Sequence, residues 1–207
     1  VAALGARYTE RRDVLEMFGY VVDAPLPDLA DIEWAVQVSQ PELDDVTFPA
    51  YLLDCGHRLL AWNKFVPKLF QMDTLAQVSV PKVLFADDGI APLIHNPDEF
   101  YPASLRALRY QMQLFHGESW YADLIRELIE QIPRFRHYWT SSAPTRSYPT
   151  AARPLTPIEF NLPTIGLLKF RLTSESFVQD RRFRIIYYVP ADVATIHQCA
   201  LWAETTA

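Results

Sequence analysis

Two strand-like runs stand early in this chain and three stand late, with helical pattern between them. FPAYLLD and LLAWN occupy 48–54 and 59–63, and PIEFNL, TIGLLKFRLT and RFRIIYYVP occupy 157–162, 164–173 and 182–190. Each is short and rich in aromatic or β-branched residues, and several alternate apolar with polar positions. CGHR at 55–58 supplies a turn with Gly56, so the first two runs form a hairpin, and a second hairpin is expected around Ser174 to Arg181. Two strands, several helices, three strands and a helix do not alternate as a parallel βαβ sheet requires. The order implies an α+β fold, with a five-stranded antiparallel sheet covered on one face by helices.

The helical stretches follow from period and punctuation. Thr9 to Phe18 reads as a helix capped by Thr9 and stopped by Gly19, and a second amphipathic turn or two surrounds Ile32 to Val38. Asn63 is placed as the N-cap of KFVPKLF, with Phe65, Leu69 and Phe70 at helical spacing. Further helices are expected over Val80 to Phe85, Pro102 to Phe115, Trp120 to Gln131 and Arg134 to Thr140, and Asp192 caps a last one over Val193 to Glu204. In the third of these, Tyr121, Leu124, Leu128, Ile129 and Ile132 form an apolar stripe opposite Asp123, Arg126, Glu127 and Glu130, the pattern of a surface helix covering something. Residues 141–157 hold four prolines and read as a loop or extended arm.

Charge excludes one class of partner. The net charge is −6, and residues 23–54 carry eight acids and no Lys or Arg. Such a segment repels a phosphate backbone, so these residues are not themselves a DNA-reading surface; a solvated acidic connector is the simpler reading of 23–47. No window approaches the roughly 20 apolar residues of a membrane span. The opening VAALGARYTERR meets charges of both signs at once, the wrong order for a secretory signal. Cys55 and Cys199 stand far apart with no spacing suited to a disulfide framework or a zinc site, which fits a reducing cytoplasm.

No catalytic motif is present: GxSxG, GxxxxGK, GxGxxG, HExxH and CxxC are all missing. His57, His95, His116, His137 and His197 are scattered, and each reads as a surface or hydrogen-bonded structural residue. Asp44 and Asp45 are adjacent and would point apart in any regular element. The residues give no sign of an enzyme. What stands out is aromatic content, 13% of the chain. A packed aromatic core is the default explanation, but a sheet under several short helices commonly leaves a cavity where small apolar ligands bind.

Several separate motifs, in order, carry a resemblance. FPAYLLDCGHRLLAWN at 48–63, the Leu108-Arg109 pair, Leu124 and Leu128 of an amphipathic helix, IPRFRHYW at 132–139, NLPTIGLLKF at 161–170 with Pro163 and Gly166, and RIIYYVPADVATIHQCALWAE at 184–204 resemble the PAS-like C-terminal domain of the MmyB-like transcription regulators. Two departures stand out: Asn161 replaces the usual His before the Leu-Pro step, and Ala191-Asp192 follow Pro190 where Gly-Ser is usual. LGARYTERRDVLEMFGY at 4–20 is similar to the closing helix of a helix-turn-helix DNA-binding domain, so the chain reads as part of a longer protein with domains at 1–22, 23–47 and 48–207.

The resemblance implies an effector sensor of a bacterial one-component regulator. It implies a non-covalent fatty acid, such as a C14–C18 acyl chain, in the PAS cavity, with no covalent cofactor and no metal. DNA contact would come through the preceding domain, and a homodimer is expected because such readers meet paired half-sites. Each buried methylene contributes about 0.8 kcal/mol, whereas a carboxylate head needs a partner. Arg109 is the expected anchor, because a guanidinium offers a bidentate fork. The expected lining is Ala50, Leu52, Leu60, Trp62, Leu108, Met112, Phe115, Leu124, Leu128, Phe135, Trp139, Leu168, Phe170, Ile186 and Tyr188. The alternative is a PAS-like dimerisation module with a filled core.

Overall fold

The strand-like runs assemble into one antiparallel sheet. In the computed structural model, which describes residues 14, 24–76, 78–112, 115, 117–141 and 156–204, with the side chains of 110–112 left out, the strands are β1 (Ala50–Asp54), β2 (Leu59–Trp62), β3 (Thr156–Leu162), β4 (Gly166–Ser176) and β5 (Phe183–Pro190). Their order across the sheet is β2-β1-β5-β4-β3. The expected helix at 9–18 and most of the proline-rich arm lie outside the described residues.

Position in the sheet explains composition. β3 lies at an edge and alternates, burying Thr156, Ile158, Phe160 and Leu162 while Pro157, Glu159 and Asn161 face away. β1 and β5 are central partners, with Leu52 opposite Ile185 and Leu53 opposite Arg184, and both read as nearly continuous apolar runs. Such runs mark strands covered on both faces.

That double cover corrects the expectation of a sheet covered on one face. Tyr51, Leu53, Ile158, Phe160, Leu168, Phe170 and Tyr188 face a helical layer, while Ala50, Leu52, Ala61, Phe183 and Ile185 face the opposite way. The second face is covered by helix α1 (Leu29–Asp45), with Ala35 and Leu43 fully buried. Its 17 residues replace the expected turn or two. Asp28 caps it in a reciprocal box with Asp31, and Ala35, Ser39 and Leu43 recur every four residues as its buried stripe. Pro41 inside the helix removes one backbone donor, and packing of that stripe against the sheet offsets the loss.

The main helical layer holds α2 (Phe65–Phe70), α3 (Val80–Phe85), α4 (Pro97–Met112), α5 (Ser119–Gln131), α6 (Pro133–Ser141) and α7 (Val193–Glu204). The N-cap of α2 is Lys64 rather than Asn63. Asn63 is instead a buried tie: its Oδ1 accepts from both Ala50 and Phe65 N–H at 3.3 Å, and its Nδ2 donates to the Phe48 carbonyl at 2.8 Å. α4 begins at Pro97, five residues before the expected start, because Pro97 with Asp98 and Glu99 makes a favourable first turn. Pro102 then lies within the helix. Asp192 caps α7 as expected, accepting from Thr195 N–H at 2.8 Å.

Candidate functional site

The centre of the layered interior is filled by side chains. Tyr51, Phe70, Phe160, Phe170 and Tyr188 contact one another, with ring centroids 5.8 to 6.2 Å apart. The Tyr51 and Tyr188 hydroxyls meet at 3.3 Å, and burial lifts Tyr51 to about 12. A second aromatic group, Phe85, Tyr101, Phe135 and Trp139, closes the space under α6.

Free space remains to one side. A half-open cleft of about 170 Å³ runs between the β1–β2 turn, α3, α4 and the adjoining ends of β4 and β5. Its apolar walls come from Leu53, Val80, Pro81, Leu84, Phe85, Leu105, Leu108, Leu172 and Ile186. The polar groups lining it are Tyr51, His57, Ser104, Thr156, Thr173, Ser174 and Arg184.

Strand parity puts Arg184 there. On β5 it shares a face with Ile186 and Tyr188, so its side chain enters the apolar layer rather than water. It is 6% exposed, with Nη2 lying 2.8 Å from Nδ1 and 3.1 Å from Nε2 of His57. Among the described residues its Nε has no hydrogen-bond partner, and neither has the Ser174 hydroxyl on β4, which lines the same cleft. Burial pulls Arg184 down from 12.5 to about 10, against the opposing influence of Cys55, Tyr51 and Asp54. Keeping that cation charged inside the fold costs on the order of 3 kcal/mol.

His57 is the neutral member of the pair. Burial, and then the Arg184 charge, hold it well below its ordinary value of 6.5, so the ring accepts from the guanidinium. It adopts the left-handed region at φ 60, in a turn pinned by Asp54. Asp54 accepts from Arg58 N–H at 2.9 Å and from Arg58 Nε at 2.5 Å, and its backbone carbonyl accepts from His57 N–H at 3.0 Å. The carboxylate nearest to Arg184 along β1 is therefore already held by another arginine.

The same turn touches the segment leading into α1. Cys55 packs with Ala24 and Phe115, and a Cβ on Gly56 would lie 3.0 Å from Leu26 Cδ2. Ala24 is held at both ends: its N–H donates to Glu118 Oε1 at 2.6 Å, and its carbonyl accepts from Trp120 Nε1 at 3.0 Å.

Of the expected lining residues, Leu108 and Ile186 reach the cleft. Leu128, Phe135, Leu168, Phe170 and Tyr188 are closed within the core, and Trp62, Leu124 and Trp139 pack at its edge. Ala50 and Leu52 belong to the opposite face, under α1, because strand alternation sends them there, and Leu60, unpaired at the β1–β2 register shift, packs on the same side. Phe115 sits in the small cluster with Cys55 and Ala24, and the Met112 side chain lies outside the described residues. Arg109 is not among the residues lining the cleft. Its guanidinium lies 4.1 Å from the Trp139 ring centroid and donates to the Trp139 carbonyl at 2.5 Å.

Sequence reasoning passed over Arg184, His57 and Ser174. For Arg184 a signal existed, a charged residue in phase with Ile186 and Tyr188 on a strand otherwise apolar on that face. Nothing local marks His57, since its partner is 127 positions away.

Among the described residues, no group of three or more His, Cys, Asp or Glu side chains is placed to hold a metal ion. No helix there is long and apolar enough to cross a membrane. No curated protein matches the sequence. The family model described as the MmyB-like transcription regulator ligand binding domain matches residues 40–201, which takes in the end of α1, all five strands and the whole cleft. An α+β sheet with a cleft beside its central strands, and a match over most of the sequence, place this chain in the MmyB-like transcription regulator ligand-binding domain family.

Proposed function

We propose that this domain senses a small molecule with an apolar body and one carboxylate, a fatty acid or a similar acid, with Arg184 as the head-group anchor. The observation that carries this reading is a buried cation at an apolar cleft whose only side-chain hydrogen-bond partner among the described residues is a neutral imidazole. A carboxylate would accept from Arg184 Nε and from the Ser174 hydroxyl, the two buried groups of the cleft lining that have no partner among the described residues. It would also offset the cost of keeping the cation buried. Leu84, Leu105, Leu108 and Ile186 would cover the tail.

Ligand occupancy is read out through the turn. His57 faces the head group, while Cys55 and Gly56, the two residues before it, touch Ala24 and Leu26. A shift of the turn therefore bears on the segment that leads toward the preceding helix-turn-helix domain, which contacts DNA as a dimer. The differential free energy available is the change in those contacts between empty and filled clefts.

Mass spectrometry of acids extracted from purified protein, with displacement of a fluorescent acyl probe, tests the reading. Stoichiometric acid and displacement lost in Arg184→Met support it; displacement unaffected by Arg184→Met overturns it. The filled aromatic centre favours a second reading, a dimerisation module without ligand. On that reading no acid co-purifies and no probe binds.

A further inference from the structure

The cleft's own walls limit the length of the guest. Its volume is about 170 Å³. An apolar cavity of about 150 Å³ holds one benzene, so the free space beside Arg184 suits about six to eight carbons. Among the described residues, two of the cleft's walls are backed by rings packed on one another. Tyr51, which lines the cleft, is fixed by its hydroxyl contact to Tyr188, and both rings pack on Phe70. On the helical side, Phe85 also lines the cleft and packs on Tyr101 at 4.6 Å and on Phe135 at 5.2 Å. A longer tail would have to dislodge rings that sit in mutual contact, or leave through the open side into water.

We propose that the cleft selects short acids, either a straight chain of about six to eight carbons or a single-ring aromatic carboxylate, and not the C14–C18 chain that the family resemblance suggests. This rests on the carboxylate reading above. It follows that methylenes add affinity only while the walls can cover them.

Isothermal titration of the delipidated 207-residue chain with straight-chain acids from butanoate to hexadecanoate tests it, each below its micelle concentration and paired with the alcohol of equal length. Affinity is expected to rise about four-fold per methylene, the equivalent of about 0.8 kcal/mol, up to octanoate and then to level off. A rise continuing at that rate past dodecanoate overturns the length limit and leaves the carboxylate site standing. Alcohols binding as tightly as acids, or no acid binding at any length, overturns the site itself. Leu108→Ala enlarges the cleft and is expected to move the break two or three carbons further, with circular dichroism confirming the fold. An unmoved break in a folded Leu108→Ala variant also counts against the limit, and the wild-type series decides alone if that variant does not fold.

Discussion

Arg182, the residue before β5, and Arg184, the second residue of that strand, have opposite circumstances. Arg182 is buried and fully engaged. Its Nε meets both Asp180 oxygens at 3.1 Å, its Nη2 reaches Asp180 at 2.7 Å and Asp31 at 2.8 Å, and its Nη1 donates to the Pro25 carbonyl at 3.4 Å. Those carboxylates outweigh burial and raise Arg182 above its ordinary value. Arg184, also buried, has a neutral His57 and an Nε without a partner among the described residues, and burial lowers it to about 10. A buried charge supplied with its counter-charge is part of the architecture, whereas one left without it favours whatever anion comes.

The comparison breaks most visibly through stability. Arg182→Met leaves Asp180 buried without its partner and releases the clamp between the β4–β5 hairpin and the start of α1. The expected loss is about 3–5 kcal/mol in urea unfolding. Arg184→Met has no carboxylate to orphan, so ligand-free stability is expected to stay level or to rise. A destabilisation of Arg184→Met equal to that of Arg182→Met would show that the two arginines have the same role.

Binding reverses the ranking. Arg184→Met is expected to weaken octanoate binding about 100-fold, equivalent to about 3 kcal/mol for truncating one member of a buried charge pair. Arg109→Met, which removes a side chain held by Trp139 and not part of the cleft lining, is expected to leave it within about two-fold. Titration of both variants at one ionic strength separates the anchor expected from sequence from the one that the fold presents. Loss at Arg109 and not at Arg184 would move the head group toward Trp139.

His57 sharpens the contrast through pH. Its folded-state value lies well below 6.5, so as pH falls through about 6.5 the unfolded chain takes up a proton at this position that the native chain refuses. Stability contributed by neutral His57 is therefore complete above that pH and declines below it, by up to about 1.4 kcal/mol per pH unit. Thermal unfolding from pH 7.5 to pH 5 should show a decline that is shallower in His57→Gln by about one proton's worth. Parallel curves for the two proteins would mean that His57 is not buried neutral against Arg184.

The sheet was legible in the sequence because its elements are local. Alternation in PIEFNL and the paired runs around CGHR need no knowledge of the rest of the chain. α1 was less so, because Pro41 and a run of acids resemble a solvated connector, and only the sheet face beneath makes Ala35, Ser39 and Leu43 a buried stripe. Two-sided cover was written in AYLLD and RIIYY, whose continuous apolarity exceeds what one face needs. The site was the least legible part. Whether an aromatic fills space or lines it depends on how α3 and α4 settle over β1 and β5, so Tyr188 and Phe170 became core while Leu84 and Leu105 became wall. The Arg184–His57 pair needs both a strand parity and a turn 127 positions away.

The smallest effect is expected at Ser174. Its hydroxyl lines the cleft, with Ser174 opposite Ile186 in the β4–β5 register, and has no hydrogen-bond partner among the described residues. Ser174→Ala removes one hydroxyl that is already unsatisfied, so stability should be unchanged or slightly higher. With a carboxylate bound, the same hydroxyl would donate a charge-assisted hydrogen bond, so the variant should bind octanoate about five- to ten-fold more weakly, near 1–1.4 kcal/mol. Combined with Arg184→Met, the two losses should be less than additive, because Ser174 can contribute only while the head group is drawn to Arg184. A double-mutant titration reads that coupling directly, and fully additive losses would place the carboxylate on one of these groups and not between them.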